Sequence, residues 1–224
     1  MSARRPVARI NRPLPPGGPA AVRRPDQRPR IGLLGGSFNP AHEGHLAISV
    51  AALKLLRLDR VWWLVSPQNP LKASGGMASL EERMASARAV ARHPRIVVSD
   101  LEQRQGTRYT VDTLRRLQRR SRARFIWMIG ADNLSQLPHW RGWREVVSRV
   151  PVVVFDREPY AYQALSGRAA TALARARQPE RAAARLADAD PPAWLFLRLR
   201  RHPVSSTAIR KERRWQAVHE EDAP

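Results

Sequence analysis

Cysteine is absent from the 224 residues, acidic side chains are far outnumbered by basic ones, and no apolar run is long. Without cysteine there is no disulfide framework, no thiolate zinc site and no cysteine nucleophile. That suits a reducing compartment and leaves oxygen or imidazole as the ligands for any metal. The apolar stretches, Val61 to Val65 among them, break within a few positions, far short of the ~18 residues that cross a bilayer. A soluble, cytoplasmic protein with no membrane partner is therefore expected. Acidic residues number 19 against 40 basic ones, for a formal charge of +21 and a pI near 11.8. Such a charge attracts polyanions, but it governs solubility and nonspecific association, not fold or reaction. The excess is nearly all arginine, beside abundant alanine and proline, which a genome rich in G and C explains as well as nucleic-acid binding does. No specific nucleic-acid partner is expected.

Residues 1–29 are rich in Arg and Pro, hold one acidic residue, Asp26, and show no apolar periodicity. Such a segment cannot repay the entropy of ordering and reads as a disordered basic tail. Its prolines spoil an amphipathic transit helix, and it has no apolar stretch for a secretory signal. Over residues 30–218 short β-rich runs alternate with amphipathic helical patterns, the mark of a parallel sheet covered by helices. One doubly wound α/β domain of Rossmann-like type is expected there, with a short tail over 219–224. Strands are expected at Ile31 to Leu34, Arg60 to Val65, Arg95 to Ser99, Arg124 to Ile129, Val150 to Phe155 and Ala193 to Leu199. Helices are expected at Gly44 to Arg57, Ser79 to His93, Thr110 to Arg120, Trp140 to Arg149, Tyr162 to Arg175 and Ser206 to about Val218. The Ala/Arg-rich piece from Ala164 to Ala189 reads as a surface helix with a loose connection. In such sheets ligands sit beyond the carboxyl ends of the strands, where the strand order reverses.

The first expected strand runs into Gly35-Gly36, and Pro40 and Gly44 bracket a tight turn before a helix that opens near His45. Glycine lets the backbone approach a phosphate closely, and the free amides and positive dipole end of a helix favour negative charge. Into this turn the chain places His42 and His45, two imidazoles able to donate hydrogen bonds to one anion and to stabilise charge in a transition state. Two histidines at that spacing also suit a metal site or a helix cap. The whole string from Gly35 to His45, however, resembles the GxFxPxHxGH signature of the nucleotidyltransferase superfamily, with Gly36, Phe38, Pro40, His42, Gly44 and His45 at its fixed positions. The resemblance implies a triphosphate-binding turn that includes Gly35, Gly36, Ser37 and Phe38 beside the two histidines.

Far downstream, Ser205 and Ser206 are good N-cap residues, and Arg210 falls about one turn into the helix they open. Hydroxyls, amides and a guanidinium can converge there on an anion. Ser205, Ser206, Thr207 and Arg210 are similar to the (I/S)SSTxxR element with which the same superfamily closes over the triphosphate.

Between these elements, Ser66-Pro67-Gln68-Asn69-Pro70-Leu71-Lys72, Thr107-Arg108-Tyr109-Thr110-Val111-Asp112-Thr113-Leu114, and Gly130-Ala131-Asp132-Asn133 with Leu137-Pro138-His139-Trp140-Arg141-Gly142-Trp143 stand in order. They resemble the NPxHK-like loop, the SYTxDTL segment and the GxD…LPxWxxW segment of bacterial nicotinate-mononucleotide adenylyltransferases. That family resemblance implies ATP and nicotinate mononucleotide as substrates, with Lys72, Tyr109, Thr110, Trp140 and Arg157 on the acceptor side and Asp132 serving the ribose or adenine. An exposed Trp140 opening its helix could stack on a pyridinium, a contact worth roughly 1–3 kcal/mol, whereas Trp143 reads as a core anchor. Asp132 could equally cap a helix. Leu71 replaces the family's usual histidine, Ser37 and Asn39 replace its common Thr and Asp, and the chain runs only to Pro224 without the longer closing helix of many members.

The reaction so implied is in-line attack by the mononucleotide's 5′-phosphate on the α-phosphorus of ATP, with His42, His45 and Arg210 stabilising charge and no covalent nucleophile. Magnesium would arrive on the triphosphate, since the chain shows no carboxylate cluster for a dedicated cage. Another transferase of the superfamily, acting on nicotinamide mononucleotide, phosphopantetheine or glycerol phosphate, would share the turn and differ in the acceptor pocket. A class I aminoacyl-tRNA synthetase also has an HxGH turn, but this chain is too short and lacks a KMSKS-like loop. A non-catalytic basic nucleic-acid-binding module would explain the charge but not the matched segments. The oligomeric state is left open.

Overall fold

A strand covered on both faces has to be apolar at every position. Val152–Phe155 (β5) reads VVVF and Trp194–Leu197 (β6) reads WLFL, and every residue of both is buried. They belong to a sheet with β1 (Arg30–Gly36), β2 (Arg60–Val65), β3 (Ile96–Ser99) and β4 (Arg124–Gly130). All six strands pair in parallel in the order β3-β2-β1-β4-β5-β6. The computed structural model describes residues 28–67, 77–156 and 160–199. The tail expected over 1–29, apart from its last two residues, the helix expected from Ser206, and residues 219–224 lie outside the described residues.

Parallel neighbours need crossovers, and helices supply them on both faces. The helices α1 (Glu43–Leu55) and α2 (Leu80–Val90), with a 3₁₀ helix over Glu180–Asp188, cover one face. They pack on Leu34, Val61, Trp63, Ile126, Met128 and Val153. On the other face lie α3 (Leu101–Gln105), α4 (Thr110–Arg120), α5 (Ala131–Gln136), α6 (Trp143–Arg149), α7 (Ala161–Ser166) and α8 (Arg168–Ala172). These rest on Ile31, Leu33, Phe125, Trp127, Val152 and Phe196, so the period-2 alternation along β1 and β4 is divided between two cores. The doubly wound α/β order is as expected, and each expected strand forms, β2 with the expected bounds and the others with one or both ends moved by a residue or two.

Three helical expectations are corrected. The helix expected from Tyr162 to Arg175 is two short ones, because Gly167 takes an extended backbone that ends α7 and opens α8. The helix expected from Trp140 starts at Trp143, because Gly142 at φ 64 forms a left-handed corner against Val111. The stretch from Ala164 to Ala189 is not a loose surface helix. Ala164, Ala169, Ala170, Ala183, Leu186 and Ala187 are buried, and Arg30 pairs with Asp188 to tie the 3₁₀ segment to β1. Small alanine side chains let that backbone lie close to the sheet. The short α3 and α5 and the 3₁₀ turn Leu137–His139 hold too few apolar positions to show a period.

Gly32, in the middle of β1, is a packing requirement. A Cβ there would lie 2.5 Å from Met128 Sδ and 2.8 Å from Leu58 Cδ1, both in the core. Gly32→Ala is expected to destabilise the fold by about 1–3 kcal/mol through overpacking. Denaturant unfolding checks this, and an unchanged midpoint would contradict it.

Candidate active site

The chain leaves β1 toward β2 and β3 and returns on β1's other side as β4, so the strand order reverses between β1 and β4. A crevice forms beyond the carboxyl ends at such a point. Gly35, at the end of β1, is exposed there, and a Cβ on it would come within 2.9 Å of the Trp127 ring. Its bare backbone is thus both open to the crevice and required by the tryptophan beside it.

The turn from Ser37 to His42 is held by aromatic packing. Phe38 has φ 48, in the left-handed region that disfavours a bulky residue, yet it is only 2% exposed. Its ring stacks on Trp63 at 5.2 Å and lies 4.8 Å from the His45 ring. Below, the Trp63 indole N–H donates to Ser49 Oγ at 2.8 Å, and the Ser49 hydroxyl donates to the His45 carbonyl at 2.7 Å. Strain in the turn is therefore offset by a packed, hydrogen-bonded floor.

His42 is the N-cap of α1. Its Nδ1 accepts the Gly44 N–H at 3.1 Å, while His45 Nδ1 accepts the His42 N–H at 3.2 Å. This is a capping box built from two imidazoles in place of the usual hydroxyl and carboxyl. The rings sit 3.9 Å apart, centroid to centroid. An Nδ1 that accepts carries no proton, so the cap geometry corresponds to the Nε2–H tautomer of each ring. The helix-cap role therefore occupies only Nδ1 of each ring and leaves the other nitrogen able to serve a different partner.

Tyr109, the N-cap residue of α4, precedes Thr110, and Arg141 sits 4.8 Å over the Tyr109 ring. This brings the Tyr109 segment to the Trp140–Gly142 turn. Trp140 departs from expectation: it ends the 3₁₀ turn Leu137–His139, is half-buried, and meets Trp127 edge-on at 6.4 Å. Trp143 is the expected core anchor at 7% exposure. Gly130 occupies the N-cap of α5, so Asp132 lies in its first turn and is not the cap. Lys72, Arg157, Ser205, Ser206, Thr207 and Arg210 lie outside the described residues.

Three features escaped sequence reasoning. Trp127 is 3% exposed, and among the described residues its indole N–H has no hydrogen-bond partner. Arg83 is 2% exposed and directs its guanidinium at backbone carbonyls. Its signal was present, because Leu80, Arg83, Met84 and Ala87 follow the i, i+3, i+4, i+7 stripe of a core-facing helix. The third is a buried network beneath Tyr109. Glu102, 8% exposed, lies 3.1 Å from the Thr113 hydroxyl, which is 2.9 Å from Thr107 Oγ1 and 3.3 Å from the Tyr109 carbonyl.

Burial pushes the Glu102 carboxyl up to about 7, against a smaller opposing effect of the Thr113 hydrogen bond. A carboxyl raised on folding keeps its proton in the native state after the unfolded chain has lost it. Stability should therefore fall between about pH 4.5 and about pH 7 and level off above, by up to about 3 kcal/mol. Glu102→Gln should match the parent near pH 4.5 and exceed its stability at pH 8. Unfolding curves at both pH values check this, and parallel pH dependence in the two proteins would refute it.

The parallel sheet carries its turn at the switch point beside β1, and residues 33–212 match the cytidylyltransferase-like family of nucleotidyltransferases. A protein of Bradyrhizobium sp. named "Probable nicotinate-nucleotide adenylyltransferase" is 54% identical over 191 residues, covering 84% of this chain and 100% of the relative. One of the same name from Methylorubrum extorquens is 56% identical over 182 residues, covering 81% and 98%. The chain belongs to the nicotinate-nucleotide adenylyltransferases within the cytidylyltransferase-like family. The Plasmodium falciparum nicotinic acid mononucleotide adenylyltransferase complexed with NaAD, 15% identical, superimposes with a TM-score of 0.60 over 82% of this chain and 83% of that one, a likeness of fold.

Proposed function

We propose that the protein transfers the adenylyl group of MgATP to nicotinate mononucleotide, giving nicotinate adenine dinucleotide and pyrophosphate in NAD biosynthesis, in the cytoplasm. The acceptor is supported by the names of relatives that match along nearly their whole length. The observation that carries the chemistry is the paired-histidine cap, which sets two Nε2–H donors at the end of β1. A 5′-phosphate oxygen attacks the α-phosphorus, the bond to the bridging oxygen breaks, and pyrophosphate leaves. The attacking group is already an anion, so the protein's work is positioning and charge stabilisation. His42 and His45 do that work as neutral donors beside Gly35, Gly36, Ser37 and Phe38, with Asp132 toward the ribose or adenine. Ser205, Ser206, Thr207 and Arg210 complete the ATP side. Lys72, Tyr109, Thr110, Trp140 and Arg157 form the acceptor side, where Trp140, braced by Trp127, is a fixed wall. Among the described residues no three His, Cys, Asp or Glu gather as a metal site, so magnesium is treated as part of the nucleotide substrate. No helix among those residues is long and apolar enough to cross a membrane.

Pyrophosphate release from MgATP should be faster with nicotinate mononucleotide than with nicotinamide mononucleotide. Absence of turnover with both would end this reading, and preference for the amide would move the acceptor. His45→Ala should lower kcat by about 10²–10³-fold, the usual cost of one preorganised donor. Its stability should drop by only about 1 kcal/mol for the lost cap acceptor. Near-normal turnover in the folded variant would remove His45 from the mechanism.

A further inference from the structure

Arg83 poses a problem that the reaction does not explain. Its guanidinium is buried, and no carboxylate among the described residues pairs with it. Taking a cation out of water is unfavourable, and desolvation pulls the group below its ordinary pKa. The helix stripe it shares with Leu80, Met84 and Ala87 would accept an apolar residue.

What the charge obtains in return is four carbonyl oxygens from three segments. Nη1 donates to Ser37 at 2.8 Å and to Ser66 at 2.7 Å, Nη2 to Pro67 at 3.0 Å, and Nε to Ala78 at 3.0 Å. Ser37 lies in the phosphate turn, Ser66 and Pro67 follow β2, and Ala78 precedes α2. The same turn is joined to α2 a second time, where the Ala78 N–H donates to Asn39 Oδ1 at 3.3 Å. Carbonyl oxygens converging in a water-poor space repel one another, and a planar cation with five fixed donors is the side chain that turns this repulsion into a defined geometry.

We propose that Arg83 is a positioning residue that sets the spacing between the phosphate turn at Ser37 and the loop leaving β2 at Ser66-Pro67, and so aligns the two substrates without touching either. This rests on the adenylyltransferase reading above, in which Ser37 belongs to the ATP side and the chain beyond Pro67 leads to Lys72. In-line transfer depends on placement, and a misplacement of about 1 Å can cost about 10²-fold in rate. Each loop keeps its own binding groups when the tie is lost, so the loss falls on kcat.

The test is steady-state pyrophosphate release by the full chain carrying Arg83→Lys, with amide exchange on the same protein. Lysine reaches the same site, but its donors radiate from one nitrogen and cannot reproduce the planar spread of Nε, Nη1 and Nη2 that meets four carbonyls. The expected result is a folded protein with kcat down about 10- to 100-fold, KM for both substrates moved far less, and faster exchange at Ser37 and Ser66 with β4 and β5 unchanged. If Arg83→Lys does not fold, Arg83→Gln is measured the same way. Normal kcat in a folded variant overturns the proposal, because the residue then serves stability alone. A raised KM with unchanged kcat also overturns it, as does failure of both variants to fold. If the parent itself turns over neither mononucleotide, the functional reading falls separately, and the exchange comparison still decides whether Arg83 holds the two loops.

Discussion

β1 is paired in parallel on both sides, with β2 and with β4, and the rest of the site depends on that constraint. Parallel pairing sends α1 and α5 away from the same edge of the sheet onto opposite faces, which parts the chain above β1. The strand between them must then end without side chains that would close the gap. Gly35 and Gly36 meet that condition, and the tryptophan that lines the gap sits where a Gly35 side chain would have gone. Architecture thus selects the residues at the mouth before any substrate does.

The two histidines illustrate how one structural need can shape a chemical one. A serine at the start of α1 would cap it as well. An imidazole caps with one nitrogen and keeps a donor on the other, and the cap dictates which nitrogen holds the proton. Protonating Nδ1 of either ring would break the box. The Phe38–Trp63 stack and the Ser49 hydroxyl fix the turn from below and so hold the two imidazoles in place.

How much of this could be read from residues alone follows from what each signal depends on. β5 and β6 were legible because a strand buried on both faces is apolar throughout, and the Gly35–His45 turn because its spacing is local. Gly142 and Gly167 were not legible as corners: a glycine inside a helical pattern is tolerated about as often as it ends one, and Val111, against which Gly142 turns, lies on another helix. Trp140 was placed at a helix start for the same reason. Its half-burial depends on Trp127, thirteen residues away in sequence and on a different element. The Glu102–Thr113–Thr107 network was hidden because polar residues on short helices resemble a solvated surface until the fold covers them.

Arginine content is the clearest case of composition concealing function. Several arginines among the described residues sit where water screens them, in pairs such as Arg92 with Glu43, Arg104 with Asp100, and Arg115 and Arg149 with Glu145. Exposed pairs of this kind add little to stability and carry no reaction. The same residue type at position 83 is buried against converging carbonyls, and there its charge is converted into distance between loops. Arginine tolerates that environment because it does not give up its proton, whereas a buried lysine readily would. A chain already crowded with arginine for other reasons has such a cation to hand, so its net charge and the guanidinium at position 83 arise from the same bias and answer to different physics.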